Sequence, residues 1–260
     1  MPYICGGIPR DKVIGESKGK YQDLDITTGD KSVRFLAEEF AHAMGQKFNI
    51  KKKVADDGHV SVDLSNLKID FSSNNVDPSI NAILAKKGIH NPTELQREMF
   101  SRDFTCNALL LSLDLKTILD PTKLGMKDIK ERMVRTCLEP ELTLGRDAKR
   151  IVRAIYIAAK LDFDLDPKII SWIKQHSKLI VGASDSYMVE KLDKAMEYNP
   201  KRTVALLNAT DVWNWIPRIE RLEGYRGKVN EGQEIVETGD SDDGDPGLAR
   251  PEWPGLGVRA

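Results

Sequence analysis

The sequence contains little that would tie it to a membrane, an oxidising compartment or a polyanion. No run of eighteen or more apolar residues occurs, and the N-terminus has no apolar signal core. Neither a membrane span nor a secretory leader is expected, no membrane partner follows, and the expected location is the cytoplasm. Cysteines are few: Cys5, Cys106 and Cys137 are odd in number, far apart and without metal-ligand spacing, so buried thiols are expected rather than disulfides. Charge of one sign is missing too. At a net charge of −1 the whole molecule exerts no pull on nucleic acid, and any such binding must use local basic patches. No internal repeat is present. What is there is 260 residues, 40% hydrophobic and 30% charged, enough for one large globular domain or two modest ones with a real core.

The most informative stretch runs from Gly6 to Thr27. Gly6-Gly7 lets the backbone turn tightly and approach a ligand without Cβ obstruction. A helix opening near Pro9 would point free N–H groups and a positive dipole end at a phosphate. Asp23-Leu24-Asp25 follows. On a strand, positions i and i+2 share a face, so the two carboxylates lie side by side while Leu24 and Ile26 face the core. Two such carboxylates repel unless a cation sits between them, and hard oxygen ligands suit Mg²⁺. Glycines beside such a pair suggest phosphoryl or nucleotidyl transfer. Taken singly, Gly-Gly is also what a plain turn shows, and Asp-x-Asp what a solvated strand end shows.

The rest of the chain reads as follows. Tyr3–Cys5 is a short strand, Pro9–Ile14 a helix, 15–20 a flexible basic connector, and 22–27 the carboxylate strand. Val33, Leu36, Ala37, Phe40 and Met44 recur at helical spacing, with Gly45 as C-cap. Asp56-Asp57-Gly58 is a hairpin-type turn, followed by alternating Val60, Val62 and Leu64. In the next strand Ile69 and Phe71 share one face and Asp70 the other, where Asp70 is either a third metal-side ligand or base, or simply an exposed strand residue. Residues 72–90 read as a mobile loop with a short helix near Ile80–Lys86. A helix over Thr93–Phe100 takes Asn91 or Thr93 as N-cap, with Glu94 and Glu98 suiting its positive end. Leu109–Leu113 is an apolar run and Thr117–Leu119 a short strand. From Met126 onward the pattern is all-helical, with Ile151, Ala154, Ile155 and Ala158 tracing one face. Trp213 and Trp215 either stack on RNA or, preferably, pack in the core. After Lys228 acidic residues accumulate among glycines with no basic residue before Arg250, a composition expected to stay disordered.

Four segments in order resemble the class II tRNA nucleotidyltransferases (CCA-adding enzymes) and the related bacterial-type poly(A) polymerases. Gly6-Gly7, Arg10-Asp11 and Asp23-Leu-Asp25 look like the first motif of that family. Arg102-Asp-Phe-Thr-Cys-Asn-Ala108 resembles its Arg-Arg-Asp-Phe-Thr-x-Asn-Ala motif. Asp120-Pro, Gly125, Asp128 and Arg135 are similar to the third. Asp147-Ala-Lys-Arg150 and the following Arg153-Ala-Ile are similar to the nucleotide-selecting Glu-Asp-x-x-Arg motif and its helix. The resemblance covers roughly residues 3–166, and the ordered set is far more specific than any one motif.

The resemblance implies an α+β protein: a polymerase-β-like nucleotidyltransferase head with a small mixed sheet over 1–120, an all-α neck and short body over 121–225, and the acidic tail over 226–260. It implies that Asp23 and Asp25, with Asp70 beside them, are catalytic and that the first two hold Mg²⁺ against the triphosphate of CTP or ATP. Gly6, Gly7, Arg10, Arg102, Asp103 and Asn107 would bind the nucleotide and its triphosphate. Asp147, Arg150 and Arg153 would select the base, the first two as a pair on one helix face that only its position in the motif series lifts above a surface ion pair. The implied activity is addition of C and A to tRNA 3′ ends with release of pyrophosphate. A poly(A) polymerase, an A-only or C-only enzyme, and an inactive RNA-binding relative are the alternatives. Three departures bear on nucleotide choice. Ser101 stands where the family has the first arginine of its second motif, and Arg146 precedes Asp147 in place of an acidic residue. The arginine that the family carries after Asp70-Phe71 is absent from Ser72-Ser-Asn-Asn75. The region beyond Pro167 is also short for gripping RNA.

Overall fold

The computed structural model describes residues 2–15, 23–27, 33–43, 50–51, 59–63, 67–72, 79–230 and 258–259. In chain order they form β1 (Tyr3–Cys5), α1 (Gly7–Ile14), β2 (Asp23–Thr27), α2 (Val33–Ala43), β3 (Ile50–Lys51), β4 (His59–Asp63), β5 (Lys68–Ser72), α3 (Ile80–Lys86), α4 (Glu94–Ser101), β6 (Leu110–Leu111) and β7 (Ile118–Leu119). There follow α5 (Gly125–Lys130), β8 (Met133–Val134), α6 (Pro140–Leu144), α7 (Lys149–Leu161), β9 (Asp164–Leu165), α8 (Pro167–Gln175), α9 (Asp185–Tyr198), α10 (Pro200–Thr210), α11 (Glu220–Asn230) and β10 (Val258–Arg259).

One mixed sheet has the order β10-β7-β6-β1-β2-β5-β4-β3. β1 pairs antiparallel with β2 and β6, β2 parallel with β5, and β4 antiparallel with β5 and β3. The alternation read from the sequence decides the faces. Ile26, Val60, Val62, Ile69 and Phe71 form one apolar cluster with Val33 and Ala37 of α2, and Leu24 packs against it. The opposite face of the same three strands carries Asp23, Asp25, Ser61 and Asp70, so the sheet keeps one side dry and leaves the other for polar chemistry.

The largest core cluster runs without a break from Ile4, Val13, Phe104, Leu109 and Ile129 into Ile151, Ala154, Ile155 and Ala158 of α7, and on to Leu192 of α9 and Leu207 of α10. The α7 stripe at three- and four-residue spacing is buried throughout. Gly125 opens α5 where a Cβ would come within 2.6 Å of the Thr105 carbonyl oxygen; only glycine lets these two backbones touch. Local signals set the helix ends. Thr93 and Gln96 form a reciprocal capping box at α4. Pro167 with Asp166, and Pro200 with Asn199, open α8 and α10.

The structure revises several expectations. The first helix begins at Gly7, before Pro9, and Thr93 rather than Asn91 caps α4. The all-helical stretch is interrupted by a parallel pair, Met133↔Asp164 and Val134↔Leu165, because two-residue strands are too short to leave a periodic signal. Glu98 does not serve the positive end of α4: it lies in the second turn and is buried. Trp213 is buried and donates to Asn208, and Trp215 packs against the core and donates to Ser177 at 3.2 Å, the core placement preferred above. All three cysteines are free and buried, and burial pushes the Cys5 thiol up to about 11. The expected connector at 16–20, the Gly45 cap, the turn at 56–58, Ser72's successors Ser73–Asn75 and most of the acidic tail lie outside the described residues. α11 runs to Asn230, past the expected start of that tail, and Val258–Arg259 pair in parallel with β7. Among the described residues no helix is long and apolar enough to cross a membrane.

Candidate active site

The site begins where β1 turns into α1. Gly6 has φ +76°, and a Cβ there would lie 2.6 Å from Asp25 Oδ2, so both the turn and the carboxylate's position require glycine. Among the described residues no side chain caps α1, and its N-cap residue Gly6 lies beside the Asp25 carboxylate. β1 and β2 bring Cys5 opposite Asp25, and β5 brings Asp70 into register with Asp25 from the other side. Asp23, two residues earlier, shares the face. The three carboxylates thus lie on one sheet face, Asp23 and Asp25 by their spacing and Asp70 by strand register.

Their environments differ. Asp23 is exposed. Asp70 accepts from the Ser61 hydroxyl and the Lys68 ammonium, each at 2.5 Å. Burial raises the Asp25 carboxyl above its ordinary value; Arg102 and Arg153 draw it back, while Asp70 and Asp23 push it further up. Such a carboxylate gains from a cation. Among the described residues no three metal-ligating side chains converge. Asp23 and Asp25 form a two-carboxylate edge that could hold Mg²⁺, an ion that usually keeps water in much of its shell.

Arg102 is anchored beneath this edge. One Nη2 lies 3.2 Å from Glu98 Oε1 and 2.9 Å from Cys5 Sγ, and Glu98 Oε2 accepts from the Thr27 hydroxyl at 2.7 Å. Arg102 Nε is buried and has no hydrogen-bond partner among the described residues. An orphaned charged donor costs about 1–3 kcal/mol or more, and an anion beside it would remove that cost. Glu98 is a site residue that motif reading missed. The signal available was an acidic residue four positions before Arg102, the spacing of a helical ion pair.

The other expected nucleotide contacts are partly spent on one another. Arg10 is buried, donating from Nη1 to Asn107 Oδ1 at 2.6 Å and from Nε and Nη2 to Asp11 Oδ1 at 2.8 and 2.6 Å. It folds back over Gly7, where a Cβ would lie 3.2 Å from its Nη2. Asp103 accepts from the Phe104 N–H at 2.8 Å and pairs with Arg153 Nε at 2.7 Å, which joins the second motif to α7. Asp147 is not on the helix with Arg150, as the spacing had suggested. It lies before α7, exposed, accepting from the Lys149 N–H at 2.9 Å. Arg150 turns away to the carbonyls of Thr143 and Ser101, both at 3.2 Å. Tyr187 of α9 feels the charges of Arg153, Asp103 and Asp147, and nothing in its own sequence context marked it.

The third motif is a brace. Buried Asp128 accepts from Thr105 at 2.5 Å and pairs with Arg135, whose Nε also donates to Asp166 at 2.7 Å. Asp120 accepts from the Met126 N–H at 2.9 Å, fixing the start of α5.

The chain is similar to several known proteins. The family described as the poly(A) polymerase head domain matches residues 2–135. The tRNA nucleotidyltransferase cca2 of Schizosaccharomyces pombe is 26% identical over 234 residues, which is 82% of this chain and 47% of the relative. A CCA-adding enzyme of Levilactobacillus brevis is 25% identical over 224 residues, 83% of this chain and 51% of its own. Among solved structures, the Bacillus stearothermophilus CCA-adding enzyme in complex with CTP superposes with a TM-score of 0.64 at 25% identity, covering 84% of this chain and 50% of that one. The chain spans about half the length of these relatives.

Proposed function

The chain belongs to the poly(A) polymerase head-domain family, and from that membership we propose that it is a template-independent RNA nucleotidyltransferase adding C and A to tRNA 3′ ends from CTP and ATP. The observation that carries this reading is Asp23 and Asp25 on one sheet face, with Asp25 held against the Gly6 turn. In the reaction the 3′-hydroxyl oxygen of the primer bonds to the α-phosphorus. The bond between that phosphorus and the bridging oxygen breaks, and pyrophosphate leaves with the electron pair. Mg²⁺ held by Asp23 and Asp25 would acidify the hydroxyl and neutralise the leaving group. Asp70, tied to Lys68 and Ser61, keeps a fixed negative flank beside Asp25. The Arg102 guanidinium would supply positive charge to the phosphates, and the N–H groups at Gly6 and Gly7 supply backbone donors. Asp103, aligned by Arg153, faces the ribose. Arg10 and Asn107 hold the glycine turn from behind rather than reaching for phosphate. Base choice falls to the region of Asp147, Arg150 and Arg153, where CTP and ATP would bind in turn.

The test is incorporation of labelled CTP and ATP, separately and together, with Mg²⁺. The primers are tRNA transcripts lacking CCA, transcripts lacking only the final A, and an unstructured oligo(A). Ordered C then A on tRNA alone is expected. Long A tracts on any RNA would assign a poly(A) polymerase, a single nucleotide type an A-only or C-only enzyme. No incorporation on any primer would overturn the reading.

A further inference from the structure

Helices α7 and α9 lie side by side, and cationic and aromatic side chains touch along them in an unbroken series. Lys149 Nζ lies 5.6 Å from the centroid of the Tyr187 ring. Lys191 Nζ lies 5.7 Å from that ring and 5.7 Å from the ring of Tyr156. Tyr156 meets Tyr198 edge to face at 6.2 Å, and Lys160 Nζ lies 5.6 Å from the Tyr198 ring. Positions 149, 156 and 160 share one face of α7, and 187, 191 and 198 one face of α9, by helical periodicity. Tyr156 and Tyr187 rest against the core, which fixes their rings, while Tyr198 is 54% exposed.

The series starts at the candidate active site. Arg153, between Lys149 and Tyr156 on α7, pairs with Asp103 at 2.7 Å, and its charge acts on Tyr187. From Lys149 to Lys160 the helix advances about 16 Å, the length of roughly five stacked nucleotides at 3.4 Å each.

We propose that this ridge is the track on which the single-stranded 3′ end of the primer lies, its bases against the tyrosine rings and its phosphates against the lysine ammonium groups. The assignment rests on the reading of the chain as an RNA nucleotidyltransferase. An ammonium over an exposed ring is held weakly, and a nucleobase stacks on the same ring more strongly. A lysine displaced by a base swings on its flexible stem to the neighbouring phosphate. Glu190 holds Lys191 at 2.9 Å and Lys194 at 3.1 Å, but exposed ion pairs of this kind are weak and yield to a polyanion. A duplex cannot use the ridge in this way, because its base faces are stacked inside the helix.

The experiment is fluorescence anisotropy of the full chain with a 5′-fluorescein-labelled 12-nucleotide single-stranded RNA, titrated at several salt concentrations. Tyr198→Ala is expected to weaken binding about tenfold, and Tyr198→Phe to restore it. Lys160→Glu and Lys191→Glu are each expected to weaken binding and to flatten the salt dependence by about one phosphate contact. Lys127→Glu, on α5, serves as the surface-charge control and should change neither quantity. A blunt duplex of the same length should bind more weakly and be indifferent to Tyr198→Ala. The track is overturned if folded Tyr198→Ala and Lys191→Glu proteins bind within twofold of the unsubstituted chain, or if Lys127→Glu loses as much as they do. Failure of the two ideas is distinguishable. Absent incorporation with variant-sensitive RNA binding rejects the activity and leaves the track. Normal incorporation with variant-insensitive binding rejects the track alone.

Discussion

The head and the neck place their charged groups by different means. Asp23, Asp25 and Asp70 sit on adjacent strands, and the register Asp25↔Asp70 puts them together whatever their side chains do. Around α7 the placement is done by reach. Arg150 crosses to the Ser101 carbonyl, Arg153 to Asp103, and Asp147 stays outside the helix to accept from Lys149. A strand position fixes direction, whereas a long cation on a helix has several partners within range. Motif spacing is therefore a sound guide to geometry in the head and a poor one in the neck.

Four substitutions would break or sharpen that contrast. The largest effect is expected from Asp25→Ala: at least a thousandfold loss of incorporation, about 4 kcal/mol of barrier, with the thermal midpoint unchanged or raised. Relief of the repulsion from Asp70 and Asp23 favours the folded mutant; a collapse of the midpoint would show that the carboxylate is structural. Ile155→Ala should do the reverse. Emptying a fully buried position in the shared core costs about 3 kcal/mol, readable as a lower urea midpoint at constant slope, while activity per folded molecule holds. Gly6→Ala combines strain at φ +76° with a clash against Asp25. Roughly a hundredfold loss of turnover is expected from displacing that carboxylate, and normal kinetics would show that the turn does not position it. The smallest effect is Asp147→Ala, about 1 kcal/mol of stability from a lost cap. The ratio of C to A incorporation is expected to change as well; an unchanged ratio would leave Asp147 a cap alone.

Legibility followed the same division. The dry face of β2 and β5 and the α7 stripe could be read because each is written at a fixed local period. The pairs Arg10–Asn107 and Thr27–Glu98 could not, since each joins segments far apart in sequence and leaves no periodic trace. The same is true of the β8–β9 pair. Glu98 shows the limit most clearly: helix-end logic gave it to the dipole, and tertiary contact with Thr27 and Arg102 buried it instead.

The central position of β1 also orders events in time. Ile4 is paired on one side with Ile26 and on the other with Leu111, so the strand that delivers the glycine turn is complete only after roughly a hundred further residues have been made and looped back. Helices α7 to α10 are built from contacts much closer in sequence and can form faster. During refolding, helical signal and burial of Trp213 should therefore recover before nucleotide binding does, and a stalled nascent chain ending before Leu111 would carry Asp23, Asp25 and Asp70 and still lack a finished site.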